Sequence, residues 1–492
     1  MIRLTLLGLI VAVAPLATTV LVLAARRQPA AQIAAILGAT VTAGASLVLA
    51  AAELIDPGQH WLGSWIVVDP AGAILLAAIG LVCWTSVVFS PVYLATKRQS
   101  FFRLETSWRP YYACLLVFWS ALLAIPIAGS LGIAWLLIES TTAASALLVG
   151  FSGKTRALEA GWKYLVLTTL GLGIALLGIV LLQVAQQAGS AGSPGLSYHG
   201  ISAHAARMPH DATLLAYVLI LTGLAAKIGW APVHNWLPDA HSEAPPPVSA
   251  LLSAALLPTV ILVAWRVQQA LAPAIGTDAS RNVFVIFGLM SLAVAVPFLW
   301  RPMAWKRLLA YSSLEHMGVI ALGIGFGQPL AIAGVAVHIV GHALAKSLGF
   351  LTAIPLLAAQ PRAAQHAPRR LGRHGAGLSA AVGTSLAVLA GVPPSPLFVS
   401  ELLIALGGIR AGHVGVVVVA TVLLALGFLG LSHHLIDAVP GRRRPGAQAR
   451  IPALRGIGWL TLVTVALLLA LAAAAPALPG SEIVTQLAKG LS

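Results

Sequence analysis

Three ionisable side chains recur every four residues in one apolar stretch of the sequence. In VHIVGHALAKSLGF, His338, His342 and Lys346 are spaced so that a helix places them on one face. Neutral imidazole accepts a proton on one nitrogen and donates from the other, and a desolvated lysine can release its proton. Bridged by water, this row could pass protons. Zinc binding is less favoured, because no second His or acidic cluster lies nearby in the sequence.

Four further charged residues lie in or at the ends of apolar stretches: Glu139, Lys163, Lys227 and Glu401. A charge at mid-bilayer costs at least about 3 kcal/mol on insertion scales, so each is a functional candidate. Lys163 lies near the end of its stretch, where its ammonium could simply reach the interface. Glu139 and Lys227 could instead form a structural ion pair. Buried pairs stabilise weakly, which favours a functional use.

The elements that position these residues are membrane helices. The 492-residue chain is 59% hydrophobic and 9% charged, whereas soluble proteins carry about 25% charged residues. Apolar runs of about 20 residues recur, and in lipid they must be helical. We predict fourteen spans, near 4–24, 31–53, 71–94, 111–128, 131–150, 163–184, 213–238, 246–270, 282–299, 308–325, 329–358, 378–410, 412–438 and 457–476.

The net charge of +15 does not indicate nucleic-acid binding. Most of the basic residues lie in alternate short loops, which is typical of membrane orientation and not of a phosphate-binding face. This bias places the basic loops in the cytoplasm and both termini outside. We therefore expect a multi-pass protein of a bacterial or archaeal plasma (inner) membrane, with residues 4–24 retained as the first helix.

The composition argues against a redox or catalytic centre in this chain. Cys83 and Cys114 are its two cysteines, whereas an iron–sulfur cluster takes four thiolates. No nucleophile–base set, metal cage or glycine-rich phosphate loop is evident in the sequence. Any redox centre must belong to another chain.

Two spans carry helix breakers. Gly229 and Pro232 follow Lys227 in span 7, and a glycine with three prolines precedes Glu401 in span 12. Proline removes a backbone donor and clashes with the preceding turn, so both helices should unwind. Two interrupted helices at matching positions of two halves mark ion sites in transporters.

The breaks and charges predict an internal repeat, spans 4–8 followed by spans 9–13. The broken helix is fourth in each unit, and an odd number of spans gives the second unit inverted topology. The paired positions are Glu139 with Glu315, Lys163 with Lys346, and Lys227 with Glu401. We predict four segments: 1–110 with helices 1–3, 111–270 and 282–438 as the two repeats, and 439–492 with helix 14.

Two motifs, AKIGWAPVHNWLPDAHSEAPPPVSALLS and KRLLAYSSLEHMG, resemble the proton-translocating antiporter-like subunits of complex I, Mrp cation/proton antiporters and membrane-bound hydrogenases. ALEAGWKYLVL with the SLEHMG variant is most similar to the hydrogenase-4 component F type. The resemblance covers about spans 4 to 13. It implies an all-α fold of fourteen helices with inverted five-helix repeats, and a hydrophilic axis lying in the membrane plane.

The resemblance also implies roles for individual residues. Glu139 would be the helix-5 glutamate that pairs with Lys227 of helix 7, and Glu401 would match the terminal residue of helix 12. His338, His342 and Lys346 would form the helix-11 connector, with Lys163 on the path. His234, Glu315 and His316 are accessory candidates.

One departure concerns helix 8. Many relatives place a Lys or His there, whereas LLSAALLPTVILVAW offers apolar residues with Pro258. The polar axis therefore lacks one link unless water or Ser253 supplies it. Arg266 lies nearer the outer end of this helix.

The leading hypothesis is a subunit that moves protons or Na⁺, driven by electron transfer in partner subunits. The charge state of Lys227 would depend on the proximity of Glu139. The partners would be other membrane subunits and a peripheral redox arm carrying iron–sulfur and nickel–iron centres, and no metal or cofactor is expected in this chain. Two alternatives stay open: a cation/proton antiporter or anion-uptake partner without redox chemistry, and a scaffold that does not conduct.

Overall fold

A computed structural model describes residues 2–62, 65–96, 107–189, 195–441 and 453–490, which are almost entirely helical. Two short strands, β1 (His60–Leu62) and β2 (Ile66–Val68), pair antiparallel. The α-helices of the described part are α1 Ile2–Ala24, α2 Gln28–Ile55, α3 Pro70–Thr96, α4 Trp108–Ala124, α5 Leu131–Val149, α6 Thr155–Gly189, α7 Tyr198–Ala205, α8 His210–Ile228, α9 Leu237–Glu243, α10 Pro246–Leu251, α11 Leu257–Ile275, α12 Thr277–Leu299, α13 Trp305–Phe326, α14 Pro329–Leu351, α15 Ala353–Ala359, α16 Ala376–Leu389, α17 Pro396–Arg410, α18 Val414–Ala438, α19 Ala453–Ala474 and α20 Glu482–Lys489.

The predicted all-helical membrane fold is confirmed. In the described part of the chain, 12 helices are long and apolar enough to cross a membrane. The predicted span 4 corresponds to α4, which has 17 residues, and span 12 corresponds to the pair α16 and α17. The count of fourteen, the inverted repeats and the four predicted segments stay predictions. Part of the predicted loop before helix 14, residues 442–452, lies outside the described residues.

The two predicted helix breaks are present. The first separates α8 from α9, and Gly229 adopts the left-handed conformation there, with φ of 78°. The second separates α16 from α17, with Gly391 at φ of 73°. Glycine populates this region without the steric penalty of a Cβ atom.

The backbone groups on either side of the first break have hydrogen-bond partners. The amides of Gly229 and Trp230 both donate to the Ala225 carbonyl, and Trp236 Nε1 donates to the Ala226 carbonyl at 2.7 Å. Such pairing matters because an unpaired backbone group costs several kcal/mol in an apolar medium.

Burial separates the helices into a centre and a periphery. In the most apolar stretches of Pro246–Ile275 and Trp305–Phe326, 100% of the residues are buried inside the protein. In the corresponding stretch of Gly456–Gly480, 22% of the residues are buried. A helix that is apolar all round and buried occupies the interior. Glu315 and His316 of α13, like the ionisable row of α14, are buried and therefore face protein and not lipid.

Helices α6 and α8 pack with their backbones in close contact. Gly223 of α8 faces Gly171 of α6, and a Cβ atom on Gly223 would collide with the α6 backbone. Small residues allow this approach between membrane helices. The packing brings Tyr164, near the start of α6, to Lys227 at the end of α8.

Arg266 forms a buried ion pair that involves neither Lys227 nor Lys346. Its Nη2 donates to Asp69 Oδ1 at 2.8 Å and to the Pro126 carbonyl at 2.7 Å. These bonds join α11 to the start of α3 and to the connection between α4 and α5. Arg266 therefore acts as a structural link. It is the only charged residue of predicted span 8, which in the structure comprises α10, a π-helical turn and α11 and is called helix 8 below.

Candidate ion-translocation site

Lys227 is fully buried in the last turn of α8. Its Nζ donates to Thr142 Oγ1 and to the Tyr164 hydroxyl, both at 2.6 Å. The Tyr164 hydroxyl is also 2.7 Å from Ser145 Oγ. A hydroxyl both donates and accepts, so this surrounding suits either protonation state of the lysine.

Glu139 lies on the same helix as Thr142 but does not bond to Lys227. Its Oε1 accepts a hydrogen bond from Thr169 Oγ1 at 3.0 Å, and the carboxylate is half-buried beside this exposed threonine. Among the described residues, no ion pair within 4.0 Å joins Glu139 to Lys227. The implied pairing of the two stays a prediction, and in this structure hydroxyl groups hold the lysine instead.

Lys163 faces away from Lys227. Its side chain is 47% exposed, and Nζ lies 2.6 Å from Glu159 Oε1 and 3.7 Å from Asp239 Oδ2. Adjacent residues of a helix point in different directions, so Tyr164 reaches the buried lysine and Lys163 does not. The sequence signal for Tyr164 was its position beside Lys163 in GWKYLVL, which draws attention to the charge only.

The predicted row on α14 is present and buried. His338, His342 and Lys346 are all 0% exposed. Lys346 Nζ donates to the Leu309 carbonyl at 2.5 Å and to Ser312 Oγ, both on α13. Neither ring nitrogen of His342 has a hydrogen-bond partner among the described residues.

A hydrogen-bonded chain runs from α13 through α14 to α17. His316 Nδ1 lies 3.1 Å from His338 Nε2, and His338 Nδ1 lies 2.8 Å from Ser400 Oγ. The His316 ring is also 5.3 Å from the His342 ring, centroid to centroid. Ser400 directly precedes Glu401, so this chain ends one residue from a predicted site carboxylate.

Glu401 and Glu315 occupy different surroundings. Glu401 is half-buried, and its carboxylate faces Gly391 at the second helix break. Glu315 is 3% exposed, its Oε2 has no partner in the described part, and its carboxylate packs against Gly427 of α18. His234 lies half-buried in the first break, and its Nδ1 likewise lacks a partner there.

Ser253 lies where helix 8 lacks a Lys or His. It belongs to a π-helical turn, Leu252–Leu256, between α10 and α11. Its Oγ is 2.7 Å from Ser313 Oγ, and Ser313 adjoins the Ser312 that binds Lys346. Such π turns are frequent at functional sites. Two hydroxyls thus connect helix 8 to the surroundings of Lys346.

No group of three or more His, Cys, Asp or Glu in the described part of the chain is arranged to hold a metal ion. The titratable groups form two clusters, one around Lys227 and one around Lys346 and the histidines. These clusters contain groups that exchange protons, and hydroxyl side chains line both.

Comparison with known proteins gives consistent matches. The family model described as NADH:quinone oxidoreductase/Mrp antiporter, TM, matches residues 128–427. The hydrogenase-4 component F homolog of Methylacidiphilum infernorum is 30% identical over 350 residues, 70% of this chain and 72% of that protein.

Two solved structures share the fold. A chain of the membrane-bound sulfane sulfur reductase, an archaeal respiratory membrane complex, aligns with a TM-score of 0.82 and 18% identity, covering 99% of this chain and 97% of that one. A chain of the Mrp complex from Dietzia aligns with a TM-score of 0.80 and 21% identity over 100% of both chains. At these identities the likeness shows the architecture alone.

Proposed function

The chain belongs to the NADH:quinone oxidoreductase/Mrp antiporter transmembrane family, and we propose that it translocates protons as one membrane subunit of a multisubunit oxidoreductase complex of the hydrogenase or NADH–quinone type. One observation carries the proposal: Lys227 is fully buried among hydroxyl groups, without a carboxylate bonded to it. A buried ammonium is costly, so a lysine kept at this depth is a functional candidate, and a lysine that can release its proton suits proton transfer.

Protons are favoured over Na⁺ by the chemistry of the two clusters. The buried site residues on α8 and α14 are two lysines and two histidines, and these groups exchange protons and do not ligate Na⁺ in their charged forms. Sodium prefers several oxygen ligands, as hard cations do. A carboxylate bonded to each lysine would have weakened this argument.

The proposed path begins at Lys227 and continues to Lys346 on α14. From there it follows His342, His316 and His338 towards Ser400 and Glu401. Glu139 sets the charge of Lys227 by approaching it or withdrawing, because an opposite charge favours the ammonium form. Lys163 would feed or drain this cluster through the ion pairs at its exposed end.

Two half-buried acidic residues, Glu139 and Glu401, favour the presence of partner subunits. Glu139 lies beside the exposed Thr169, and Glu401 lies between Phe398 and Leu402, which are 40% and 49% exposed. A partly exposed acidic residue next to apolar side chains is costly in lipid, so neighbouring membrane subunits would cover both surfaces. The redox centres, iron–sulfur and nickel–iron, would reside in a peripheral arm, and the chain would lie in a bacterial or archaeal plasma membrane with both termini outside.

A cation/proton antiporter without redox chemistry is the second candidate, because the Mrp chain shares the fold at a nearly equal TM-score. Proton movement that requires an electron donor would favour the oxidoreductase. Movement driven by a Na⁺ gradient alone would favour the antiporter.

The proposal is tested by Lys227→Ala in the purified complex reconstituted in liposomes. We expect proton translocation to fall to background while the complex still assembles, because alanine cannot carry a proton. Lys489→Ala, which changes an exposed lysine of α20, serves as the control and should translocate at the wild-type rate. Wild-type translocation by Lys227→Ala would refute the proposed role.

A further inference from the structure

A buried histidine lies next to helix 8, the helix in which the polar axis lacks a Lys or His. From Pro246 to Ile275, helix 8 has one titratable side chain, Arg266, and that residue is committed to Asp69. His241 lies in α9, just before this helix, and is 0% exposed. Neither of its ring nitrogens has a hydrogen-bond partner among the described residues. A buried imidazole normally has one.

His241 lies between the two clusters. Its ring stacks on Phe350, with centroids 5.4 Å apart, and Phe350 is one helical turn after Lys346 on α14. On its other side, Trp236 lies 6.5 Å away, and Trp236 in turn contacts Tyr164 at 4.7 Å. The Ser249 hydroxyl donates to the His241 backbone carbonyl at 2.9 Å, so this bond holds the main chain and not the imidazole ring.

A cavity with a partly polar lining reaches the residues next to His241. Its volume is about 410 Å³, and it reaches Ser242 and Glu243, the two residues that follow His241. Lys306, whose Nζ donates to the Ala244 carbonyl at 2.6 Å, lines it as well. We call this cavity the vestibule; its polar lining also includes Ser152, Lys154, Thr155, Arg156 and Gln365.

The vestibule is large and polar enough to hold several water molecules, since a water occupies about 30 Å³. Lys306 and Lys346 both lie close enough to His241 for their charges to act on the ring. His241 thus directly precedes two residues of the vestibule lining and stacks on the helix that carries the buried row.

We propose that His241 is a proton relay between the vestibule and the His342–Lys346 row, taking the place of the group that helix 8 lacks. One ring nitrogen accepts a proton from vestibule water, and the other gives its proton to the neutral Lys346 amine or to His342. The ring returns to the neutral form as the other tautomer and resets by turning over. One proton moves per cycle, and no other reactant is needed.

This inference rests on the proposed proton translocation, so both are measured in one assay. The purified complex is reconstituted in liposomes, and proton uptake is followed for wild type, Lys227→Ala and His241→Ala. We expect His241→Ala to lower the flux by about 100-fold, the lower end of the range for loss of a proton-transferring side chain. Added imidazole should restore much of this flux, because it can occupy the space left by the side chain.

Imidazole rescue of His241→Ala together with a loss in His241→Gln separates a relay from a packing role, since glutamine fills the space but does not carry protons. His413→Ala is the matched control: His413 stacks on Phe326, belongs to neither cluster, and its removal should change neither the flux nor the imidazole response. Should His241→Ala not assemble, His241→Gln keeps the polar volume without proton transfer and must show the same loss.

The outcomes separate the two proposals. Wild-type flux in His241→Gln, or a loss in an assembled His241→Ala complex that imidazole does not restore, overturns the relay while Lys227→Ala still tests translocation. If neither Lys227→Ala nor His241→Ala changes the flux, the proposed function fails together with the relay.

Discussion

Two buried lysines of this chain are held in different ways. Lys227 bonds to two hydroxyls, from Thr142 and Tyr164, and a half-exposed carboxylate lies nearby on α5. Lys346 bonds to the Leu309 backbone carbonyl and to one hydroxyl. A neutral amine needs a donor for its lone pair, and a hydroxyl can provide one whereas a carbonyl cannot. Two hydroxyls adjoin Lys227 and one adjoins Lys346; each accepts from the ammonium here and would rotate to donate to a neutral amine.

The difference suggests a division of labour. The site around Lys227 accommodates both protonation states and has a nearby acid that can bias them, which suits a switch. The site around Lys346 adjoins three buried histidines on two helices, which suits conduction along a row. Both sites still require a lysine that releases its proton, and this shared requirement gives the strongest test.

Lys346→Arg should have the largest effect in the second site. Arginine keeps the positive charge but does not deprotonate in proteins, so we expect translocation to fall by at least about 100-fold, as for loss of a general acid–base group. Proton uptake by liposomes containing the assembled complex is the measurement. Flux within twofold of wild type would mean that Lys346 supplies charge only, and the row on α14 would not be a proton path.

Tyr164→Phe should have an intermediate effect in the first site. It removes one of the two hydroxyls on Lys227, and a hydrogen bond to a charged group contributes about 1.5–3 kcal/mol, equivalent to at least about tenfold in rate. Proton flux and its dependence on pH are measured. The control is Tyr112→Phe, because the Tyr112 hydroxyl is buried without a partner in the described part, and this variant should retain wild-type flux. Equal rates for both variants would show that Thr142 alone holds the lysine.

The sequence predicted the fold and the charged members of both sites for one reason. Charges and prolines are conspicuous in apolar sequence because lipid disfavours them, so Lys227, Lys346 and the two helix breaks stand out without a structure. The motifs also identified the family, which the match over residues 128–427 confirms. The roles of the individual site residues stay predictions.

The hydroxyl groups and side-chain directions could not be predicted in the same way. Serine, threonine and tyrosine are common in membrane helices, so Thr142 and Tyr164 carry no signal by type. Whether Lys163 or its neighbour faces Lys227 depends on helix rotation, which the close packing of α6 on α8 determines. His241 was within a quoted motif, yet its lack of partners is visible only in three dimensions.

The smallest expected effect concerns the hydroxyl pair that connects helix 8 to the second site. Ser313→Ala leaves Ser253 without its 2.7 Å partner, a loss of about 1 kcal/mol for a neutral hydrogen bond, or about fivefold in rate if protons cross there. The control is Ser120→Ala, which removes a hydroxyl bonded to the Ala12 carbonyl, distant in the chain from both lysines. A loss as large as that of Lys346→Arg would make the hydroxyl pair an obligatory link between the lysines. Unchanged flux in Ser313→Ala would mean that protons reach Lys346 by another route, and the side of α14 that contacts His241 would then be the route to examine.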